Sequence, residues 1–368
     1  MERDELAAYL ALAGLPGIGP ARLRTLVAAF ESAQAALRAP HGAIAALPGF
    51  SRAGATAVRS CSLETGRDIL DGLARLGAML LVPDDEAFPP LLREIPEAPA
   101  WLYVWGDVRL LKRPAVGMVG SRNHTAYGAA AARLLADGVA RSGVAVVSGM
   151  ARGIDAIAHA AALDAGGASV GVLGNGFGVI YPAANRALYE RMIAHGCLVT
   201  ELPPGERPHA GAFPRRNRLI SGLAGVTIVV EAAPTSGALI TADFALDQGR
   251  AVLAVPGPIT SPTSLGCNKL IQQGAKPALA AADVLEELGL PGAAEAAAPG
   301  PPPDLSDLQR TLWDALVAEP RHVDALVAAA ETDAAAVLTA LTDLELRGLV
   351  KQEPGMRFGV ADGGRLGP

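Results

Sequence analysis

Short apolar runs alternate with longer helical stretches through the middle of the chain. These runs predict β-strands and are typical of parallel strands buried on both faces, because they are continuous rather than alternating. Strands that alternate with helices in this way predict an α/β fold over residues 67–290, with a Rossmann-like, doubly wound and mostly parallel sheet. The predicted strands are Ala78–Val82, Trp101–Trp105, Ala115–Val119, Val144–Val147, Ser169–Leu173, Cys197–Thr200, Val226–Val230 and Ala251–Val255.

The first segment, residues 1–66, predicts short helices in which one turn–helix pattern occurs twice. The turns Leu15–Pro20 and Leu47–Arg52 each contain Gly and each precede an apolar-periodic helix. They resemble helix-hairpin-helix units of a small, SAM-like helical domain, in which turn amides can hold a DNA phosphate. The alternative is that the hairpins only pack together. Six arginines against five acidic residues give the segment a net charge of about +1, which favours packing.

The last segment differs in composition from the rest. Residues 291–304 are rich in Pro and Ala and predict a linker. Three helical stretches and a β-hairpin over residues 305–368 then predict a winged-helix domain. These elements are Leu308–Val317, Val323–Ala330, Ala334–Arg347, with Thr332 or Asp333 as its N-cap, and Leu349–Val360. Because Asp343 and Glu345 make the third helix acidic, we expect a protein-interaction or weak duplex-binding module rather than a strong DNA reader.

Composition excludes several classes of protein. The cysteines Cys61, Cys197 and Cys267 form no close pair and no metal-ligand spacing, which fits a reducing compartment. The acidic start has the wrong charge for a signal peptide, and no apolar run approaches about 18 residues. We therefore expect a cytoplasmic protein that has no membrane span, metal or cofactor.

The net charge of the chain is −6, yet basic residues concentrate after Phe213. Arg215, Arg216, Asn217 and Arg218 open a predicted helix, where the helix dipole disfavours positive charge. This cluster indicates that an anion docks there, and the adjacent aromatic ring suits stacking on a nucleobase. The alternative, solvated and ion-paired arginines within an α/β domain, has equal weight from this segment alone.

Glycine-rich turns follow three of the predicted strands. They are Gly120-Ser121-Arg122, Ser148-Gly149 with the residues up to Asp155, and Leu173–Gly178. A strand, a Gly turn and a helix start can form a phosphate cradle of backbone N–H groups, with Arg122 as a charged clamp. Alternatively, glycine serves only close packing. Three such turns at one sheet edge, beside the arginine cluster, favour an anion-binding crevice, although the Gly spacing is not the dinucleotide fingerprint.

Catalytic arrangements are not evident. Asp155 and His159 lie four apart on a predicted helix, but a helix-start acid and a locally bonded histidine explain them better than a metal site does. Glu231 ends a strand at the crevice edge, where orienting loop amides is sufficient. No nucleophile–base or paired-carboxylate pattern stands out.

Six motifs in one order resemble the DNA-processing protein A (DprA/Smf) family. They cover about residues 100–285 densely, while the end domains match by architecture only. The resemblance implies a non-enzymatic protein that binds single-stranded DNA and loads a RecA-type recombinase onto it. The motifs are Gly120-Ser-Arg122, Ser148-Gly-Met-Ala-Arg-Gly-Ile-Asp155 with His159, Phe213-Pro-x-Arg-Asn-Arg218, Glu231–Ala242, Gly249–Gly257 and Gly266–Ala275.

The resemblance also assigns residue roles. Arg122 and Arg218 would hold phosphates, Phe213 would stack a base, Asn217 would bond backbone or base, and Arg215 and Arg216 would supply a positive field. A homodimer would form through the Rossmann-like domain, for which Leu265, Leu270 and Ile271 are candidates; these three side chains could equally cover the last strand.

Two enzyme classes are rivals. The fold also resembles phosphoribohydrolases that process nucleotides, whose Pro-Gly-Gly-x-Gly-Thr-x-x-Glu turn carries a catalytic glutamate. The corresponding turn here, Pro234–Thr241, has only Asp243 nearby. A nicotinamide-linked oxidoreductase is less favoured, because the fingerprint acid is absent.

Overall fold

A computed structural model describes residues 2–290, 305–317 and 320–360. The chain divides into two compact units, residues 1–294 and 295–368. The predicted linker, 291–304, lies outside the described residues.

Helices form the start of the first unit. An apolar cluster that includes Leu12, Leu23 and Ile44 holds them together. The predicted domain boundary at residue 66 falls inside the sixth helix, which packs on the first. The helices are α1 (Arg3–Ala13), α2 (Pro20–Phe30), α3 (Ala33–Arg38), α4 (His41–Ala45), α5 (Arg52–Arg59) and α6 (Leu63–Leu76).

The two predicted hairpin turns meet around one side chain. Gly17 and Gly49 both have positive φ, 82° and 80°. Arg22 Nη1 donates to the Gly17 carbonyl at 2.6 Å, and Arg22 Nε lies 3.6 Å from where a Cβ on Gly49 would stand. This contact favours the packing interpretation of the hairpins.

A nine-stranded sheet follows, in the order β1-β2-β6-β5-β4-β3-β7-β8-β9. Eight of its strands coincide with the predicted runs, and the two-residue β9 was not predicted. The strands are β1 (Met79–Leu81), β2 (Leu102–Gly106), β3 (Ala115–Val119), β4 (Ala145–Ser148), β5 (Ser169–Val172), β6 (Cys197–Thr200), β7 (Val226–Val229), β8 (Ala251–Ala254) and β9 (Lys276–Pro277).

The strand directions correct one expectation. From β3 onward all neighbouring strands are parallel, but β1 pairs antiparallel with β2, and β2 pairs antiparallel with β6. Their continuous apolar runs therefore do not mark parallel strands. They arise because the α1–α6 helices cover this end of the sheet: Leu10 of α1 and Leu73 of α6 share a buried cluster with Tyr103 of β2.

Helices cover both faces of the sheet, which confirms the doubly wound fold. The core on one face includes side chains of α8, α9 and α14, and that on the other includes α11, α12 and α13. The helices are α7 (Pro90–Arg93), α8 (Ala126–Arg141), α9 (Ile154–Asp164), α10 (Arg186–His195), α11 (Ala212–Leu223), α12 (Gly237–Asp247), α13 (Leu265–Gln272) and α14 (Ala281–Glu287).

The strand order fixes where a ligand can enter. The chain runs from β3 through β4 and β5 to β6, and then returns along α11 to β7 on the other side of β3. In such sheets, ligands bind outside the carboxyl ends of the strands. The turns after β3, β4 and β5 open at that edge, together with the N-terminus of α11.

The second unit is a winged helix, as predicted. Asp333 is the N-cap of its third helix, because its side chain accepts the Ala336 N–H at 2.9 Å. The three strands pair in the order β10-β12-β11. The elements are α15 (Asp307–Val317), β10 (Arg321–His322), α16 (Val323–Ala330), α17 (Ala334–Leu346), β11 (Val350–Glu353) and β12 (Arg357–Val360).

Among the described residues, no single helix has the length and apolarity needed to cross a membrane. Within the same described residues, one pair of helices, α16 and α17, has the required length and apolarity when the two are taken together, but the pair is bent by 109°.

Helix α6 offers an internal test of the packing on α1. A Cβ on Gly66 would lie 1.8 Å from the Ala7 carbonyl oxygen, whereas one on Gly72 would have no atom nearer than 3.8 Å. We expect Gly66→Ala to lower the free energy of unfolding by about 1–3 kcal/mol, because backbone must move. Gly72→Ala should raise it by about 0.4–1 kcal/mol through the unfolded state. Urea denaturation followed by circular dichroism measures both, and equal midpoints for the two variants would contradict the close contact.

Candidate nucleic-acid interface

A cavity of about 300 Å³ opens at the carboxyl edge of the sheet. The turns after β3, β4 and β5 meet there with the first turn of α11, as the glycine-rich turns predicted. Its wall also includes the segment between β5 and α10. The lining residues are Arg122, Gly149, Met150, Ala151, Arg152, Leu173, Gly174, Asn175, Tyr181, Pro182, Ala184, Phe213 and Arg216.

Two aromatic rings and a cation form one wall. The Tyr181 and Phe213 ring centroids are 5.6 Å apart with planes tilted by 35°. The Arg122 guanidinium carbon lies 5.7 Å from the Phe213 centroid, within cation–π range. Tyr181 is 44% exposed and Phe213 is half-buried. The wall therefore combines an open aromatic face with a positive charge.

Arg216 forms the inner end of the cavity. It is 7% exposed, and its Nη1 donates to the carbonyl oxygens of Gly149, at 2.5 Å, and of Val172. Burial lowers the pKa of Arg216 to about 10, and attraction to Asp155 opposes that shift. Since this pKa stays well above neutral pH, the guanidinium remains charged. Arg216 thus ties α11 to the ends of β4 and β5.

The predicted phosphate cradle of backbone amides is not available at two of the turns. Asp155 Oδ2 accepts the N–H groups of Gly149 at 3.1 Å and Ala151 at 3.4 Å. Glu231, which is 2% exposed, accepts the Thr125 N–H at 2.9 Å, at the start of α8. The protein's own carboxylates therefore occupy these three N–H groups, which are not free to bind an anion.

The turn glycines serve close packing. A Cβ on Gly120 would lie 2.8 Å from Ile154, and one on Gly174 would lie 2.7 Å from the Phe213 ring. A Cβ on Gly149 would stand 2.7 Å from both Arg216 Nη2 and Asp155 Oδ2. Larger residues at these positions would displace the groups that form the cavity wall. The glycines therefore allow close packing, and this role is compatible with the presence of the cavity.

Arg218 requires a correction. It was expected to hold a phosphate, but it is 4% exposed and its Nη2 donates to both Glu201 carboxylate oxygens, at 2.8 and 2.6 Å. A guanidinium whose charge is compensated inside the domain does not present itself to a strand. Its role is to fasten α11 to the segment after β6.

Several other predicted residues also lie outside the cavity lining. Ser148 is fully buried and donates to the Met118 carbonyl at 2.6 Å. Ser121 accepts the Asn123 N–H, and Asn217 donates to the Gly237 carbonyl. Arg215 is exposed on α11. Of the predicted DNA-binding residues, the cavity brings together Arg122, Gly149, Phe213 and Arg216.

The Asp155 and His159 pair is explained by the local structure. His159 is fully buried, and its Nδ1 lies 2.7 Å from the Ser169 hydroxyl. Burial lowers the pKa of His159 to about 3, so the ring is neutral. Within the described ranges, no group of three or more His, Cys, Asp or Glu side chains could hold a metal ion.

Sequence reasoning missed Tyr181 as part of the site. Arg152 and Asn175 lie in two of the predicted glycine-rich turns, but the sequence assigned neither of them a role in DNA binding. All three line the cavity, and Arg152 is exposed. Tyr181 follows a turn with no periodic pattern, so only its type, an aromatic residue in a loop, could have drawn attention.

Comparison with known protein families gives two matches. The family model for DNA recombination-mediator protein A matches residues 79–289, and that for the DprA winged helix domain matches residues 296–356. Protein Smf of Synechocystis is 34% identical over 97% of this chain and 99% of its own length. The DNA processing protein DprA of Bacillus subtilis is 46% identical over 55% of this chain and 68% of its own.

Solved structures of DNA processing protein A agree with these family matches. DNA processing protein A from Streptococcus pneumoniae superposes with a TM-score of 0.68 at 33% identity, covering 78% of this chain and 98% of that one. The Helicobacter pylori protein, whose structure concerns its single-stranded DNA binding mode, gives a TM-score of 0.52 at 27% identity, covering 58% and 97%. Together with the glycine-rich turns and the α11 arginine motif, these matches show that the chain belongs to the DNA recombination-mediator protein A (DprA/Smf) family.

Proposed function

We propose that the protein binds single-stranded DNA at the cavity and loads a RecA-type recombinase onto it in the cytoplasm, during natural transformation, recombination or both. The observation that carries the proposal is the pairing of Tyr181 and Phe213 with Arg122 and Arg152 at one opening. Both arginines are exposed, and neither has an acidic partner among the described residues. Stacking surfaces beside free cations are the chemistry that binds single strands with little sequence preference.

The local charge at the cavity supports this assignment. At the cavity, Arg122 and Arg152 are left for an outside anion, although the whole chain is acidic at −6. Such a local field attracts a polyanion despite the net charge.

Related proteins support the DNA-binding part of the proposal more directly than the recombinase-loading part. The Helicobacter pylori protein is described as binding single-stranded DNA, and the shared fold and motifs bring that property to this chain as a proposal. The recombinase partner rests on the family resemblance. The winged-helix unit, with Asp343 and Glu345 on α17, is proposed as a protein-interaction or weak duplex-binding module.

The enzyme alternative finds no support at the site. In a phosphoribohydrolase-like protein, a carboxylate would face open space beside the bound nucleotide. The acidic residue near the corresponding turn, Asp243, is exposed on α12 and does not line the cavity. Glu231, at the cavity edge, is buried, with one oxygen accepting the Thr125 N–H and the other the Thr263 hydroxyl at 2.5 Å. This carboxylate orients the α8 turn and the segment before α13.

A homodimer through the Rossmann-like domain is also proposed, with a revised choice of residues. Leu270 and Ile271 are half-buried and pack against the sheet core, so they cover the last strands. Leu265 is 43% exposed, and Ile259 and Leu279 are 84% and 67% exposed in flanking segments. These three exposed side chains follow β8 and β9 along the chain and are the candidates for the interface, and pairing would place two cavities on one particle.

Salt dependence of binding tests the DNA site. The Arg122→Ala/Arg152→Ala protein should bind oligo-dT more weakly, with the slope of log affinity against log salt reduced by about 0.7 per lost phosphate contact. The parent protein should prefer single strands to duplex. Fluorescence anisotropy at several salt concentrations measures both.

Arg218→Ala is the matched control for these substitutions. Because Arg218 is paired with Glu201, its loss should lower stability and leave the salt slope of the folded protein unchanged. An unaltered slope in the Arg122/Arg152 variant would refute the site, and a reduced slope in folded Arg218→Ala would restore Arg218 as a phosphate contact.

Tyr181 is predicted to contribute a stacking surface. Tyr181→Ala should weaken single-strand binding by about 1–3 kcal/mol while the salt slope stays the same, because stacking releases no counterions. Tyr127, which is 49% exposed outside the cavity, provides the control, and Tyr127→Ala should have a smaller effect. Equal losses of affinity in the two variants would argue that neither ring contacts a base specifically.

Leu265→Glu tests the dimer. A folded monomer with weaker binding of long strands is expected, since a charge at an apolar interface opposes pairing. Leu346→Glu, at an 80% exposed position of the second unit, should leave the oligomeric state unchanged. Light scattering gives the mass; a Leu265→Glu dimer as tight as the parent would place the interface elsewhere.

A further inference from the structure

Helix α17 of the winged-helix unit carries an apolar stripe on its exposed side. Ala335, Leu338, Thr342 and Leu346 follow one another at intervals of three or four residues, so they lie along one side of the helix. All four are exposed, and the exposed fractions of Leu338 and Leu346 are 36% and 80%. The side chains that pack into the core of the unit lie opposite; they are Val337, Ala340, Leu341 and Leu344.

The chemistry of this helix does not suit duplex DNA. In a DNA-binding winged helix, the third helix enters the major groove and offers positive and hydrogen-bonding side chains to phosphates and bases. From Ala334 to Leu346, α17 contains no lysine or arginine. The hydroxyls of Thr339 and Thr342 donate to carbonyls of the same helix, at 2.8 Å each. Their donors are therefore committed within α17.

Two carboxylates flank the stripe. Asp343 follows Thr342 and Glu345 precedes Leu346, so each is turned by about 100° from its neighbour, and in opposite directions. Both acidic residues are exposed. The stripe is thus bordered by one negative charge on each side.

Neighbouring groups hold these carboxylates in place. Asp343 Oδ2 accepts Gln309 Nε2 at 2.6 Å, and Arg347 Nη1 lies 3.8 Å from the same oxygen. Glu345 Oε1 accepts the backbone N–H of Gln352 at 3.2 Å. Because exposed carboxylates fixed in this way lose little side-chain freedom on binding, they are suited to meet cations of a partner.

The wing adds an adaptable apolar group next to the Glu345 flank. The side-chain amide of Gln352 donates to Met356 Sδ at 3.3 Å, and Met356 is 41% exposed. Methionine is flexible and polarisable, so it fits apolar surfaces of different shape. The wing therefore extends the surface that begins on α17.

Charge discriminates between the possible occupants of this surface. Residues 305–360 contain nine acidic and five basic residues, a net charge of −4, so the unit repels a polyanion. A second copy, paired stripe to stripe across a two-fold axis, would bring the same negative flanks together. A partner with an apolar stripe between positive charges matches the surface in both respects, and a basic amphipathic helix has this pattern.

We propose that the stripe of α17, its acidic flanks and Met356 dock a basic amphipathic helix of a partner protein. The proposal rests on the proposed role of the winged-helix unit as a protein-interaction or weak duplex-binding module, and it selects the first of these. It does not depend on the DNA site at the cavity.

A synthetic helix tests the docking surface. The probe is a dye-labelled peptide of about 18 residues, in which leucines form one stripe and lysines fill the other positions. Fluorescence anisotropy with the full-length protein measures its affinity. A peptide of the same composition, with the leucines spread around the helix, should bind about tenfold more weakly, because it buries less apolar surface. A striped peptide with glutamate in place of lysine should not bind, since like charges would meet.

Substitution of the stripe locates the binding. Leu338→Ser/Leu346→Ser should abolish the difference in affinity between the striped and the spread lysine peptides. Leu134→Ser/Leu246→Ser, at 65% and 57% exposed positions of the first unit, is the matched control and should keep the difference. Because all four leucines are exposed, we expect both variants to fold, and circular dichroism checks this.

Substitution of the flanks tests the charge. Asp343→Asn/Glu345→Gln should weaken binding of the striped lysine peptide by about fivefold, the scale of two exposed ion pairs. Asp307→Asn/Asp314→Asn, at exposed positions on α15, removes the same charge from the unit and should have a smaller effect. Equal effects of the two variants would contradict the role of the flanks.

The other occupants are outcomes of the same experiment. Equal affinity for the two lysine peptides, or a preference that survives Leu338→Ser/Leu346→Ser, overturns the docking site. If that variant instead loses duplex affinity or oligomeric mass while peptide binding is unchanged, the surface binds DNA or a second copy, and the proposal is wrong.

Binding of oligo-dT separates this inference from the DNA site. It should be the same in the parent protein and in all four variants. Failure of the parent protein to bind oligo-dT would refute the function proposed for the cavity and leave the peptide result unaffected. Conversely, a protein that binds oligo-dT but does not prefer the striped lysine peptide would refute only the docking site.

Discussion

The guanidinium of Arg216 joins parts of the chain that are far apart in sequence. From the second turn of α11 it reaches the carbonyls at the ends of β4 and β5, so the crossover helix and two strands share one set of hydrogen bonds. Removing a cation from water is costly unless carbonyls and a nearby carboxylate compensate, and Asp155 supplies that carboxylate. Because the cavity wall consists of these same elements, its shape depends on this buried charge.

Charge is arranged differently inside and outside the cavity edge. Inside, Asp155 and Glu231 occupy turn amides that in many α/β proteins receive a phosphate, and Asp155 also attracts the buried Arg216. Outside, Arg122 and Arg152 form no ion pair within the part of the chain that the structure describes, although Asp155 attracts Arg122. The interior is thereby nearly neutral and the rim is positive. A long polyanion can lie along such a rim, whereas a compact nucleotide phosphate finds its customary amides taken.

The sequence predicted the eight longer strands well because each is an apolar run bounded by turns. It could not assign the antiparallel direction of the first two, since an apolar run does not distinguish a parallel strand from an antiparallel one that packs against helices. At the site, residue type revealed the cluster after Phe213 but not which arginines face outward. Arg216 and Arg218 point to different sides of α11 and both are buried, because the protein encloses this helix on more than one side. The partner of Arg218, Glu201, lies too far along the chain to be foreseen. Tyr181 lines the cavity from an irregular loop, in which the sequence shows no periodic pattern of apolar residues.

The two ends of the large sheet have a further consequence. The outermost strands are very short, three residues in β1 and two in β9, and β9 consists of Lys276 and Pro277. Proline has no N–H to donate and an edge lysine opposes addition of another strand. A nine-stranded sheet thus presents few backbone groups on which a foreign strand could grow. Short edges of this kind reduce the scope for cross-β association between copies of the chain.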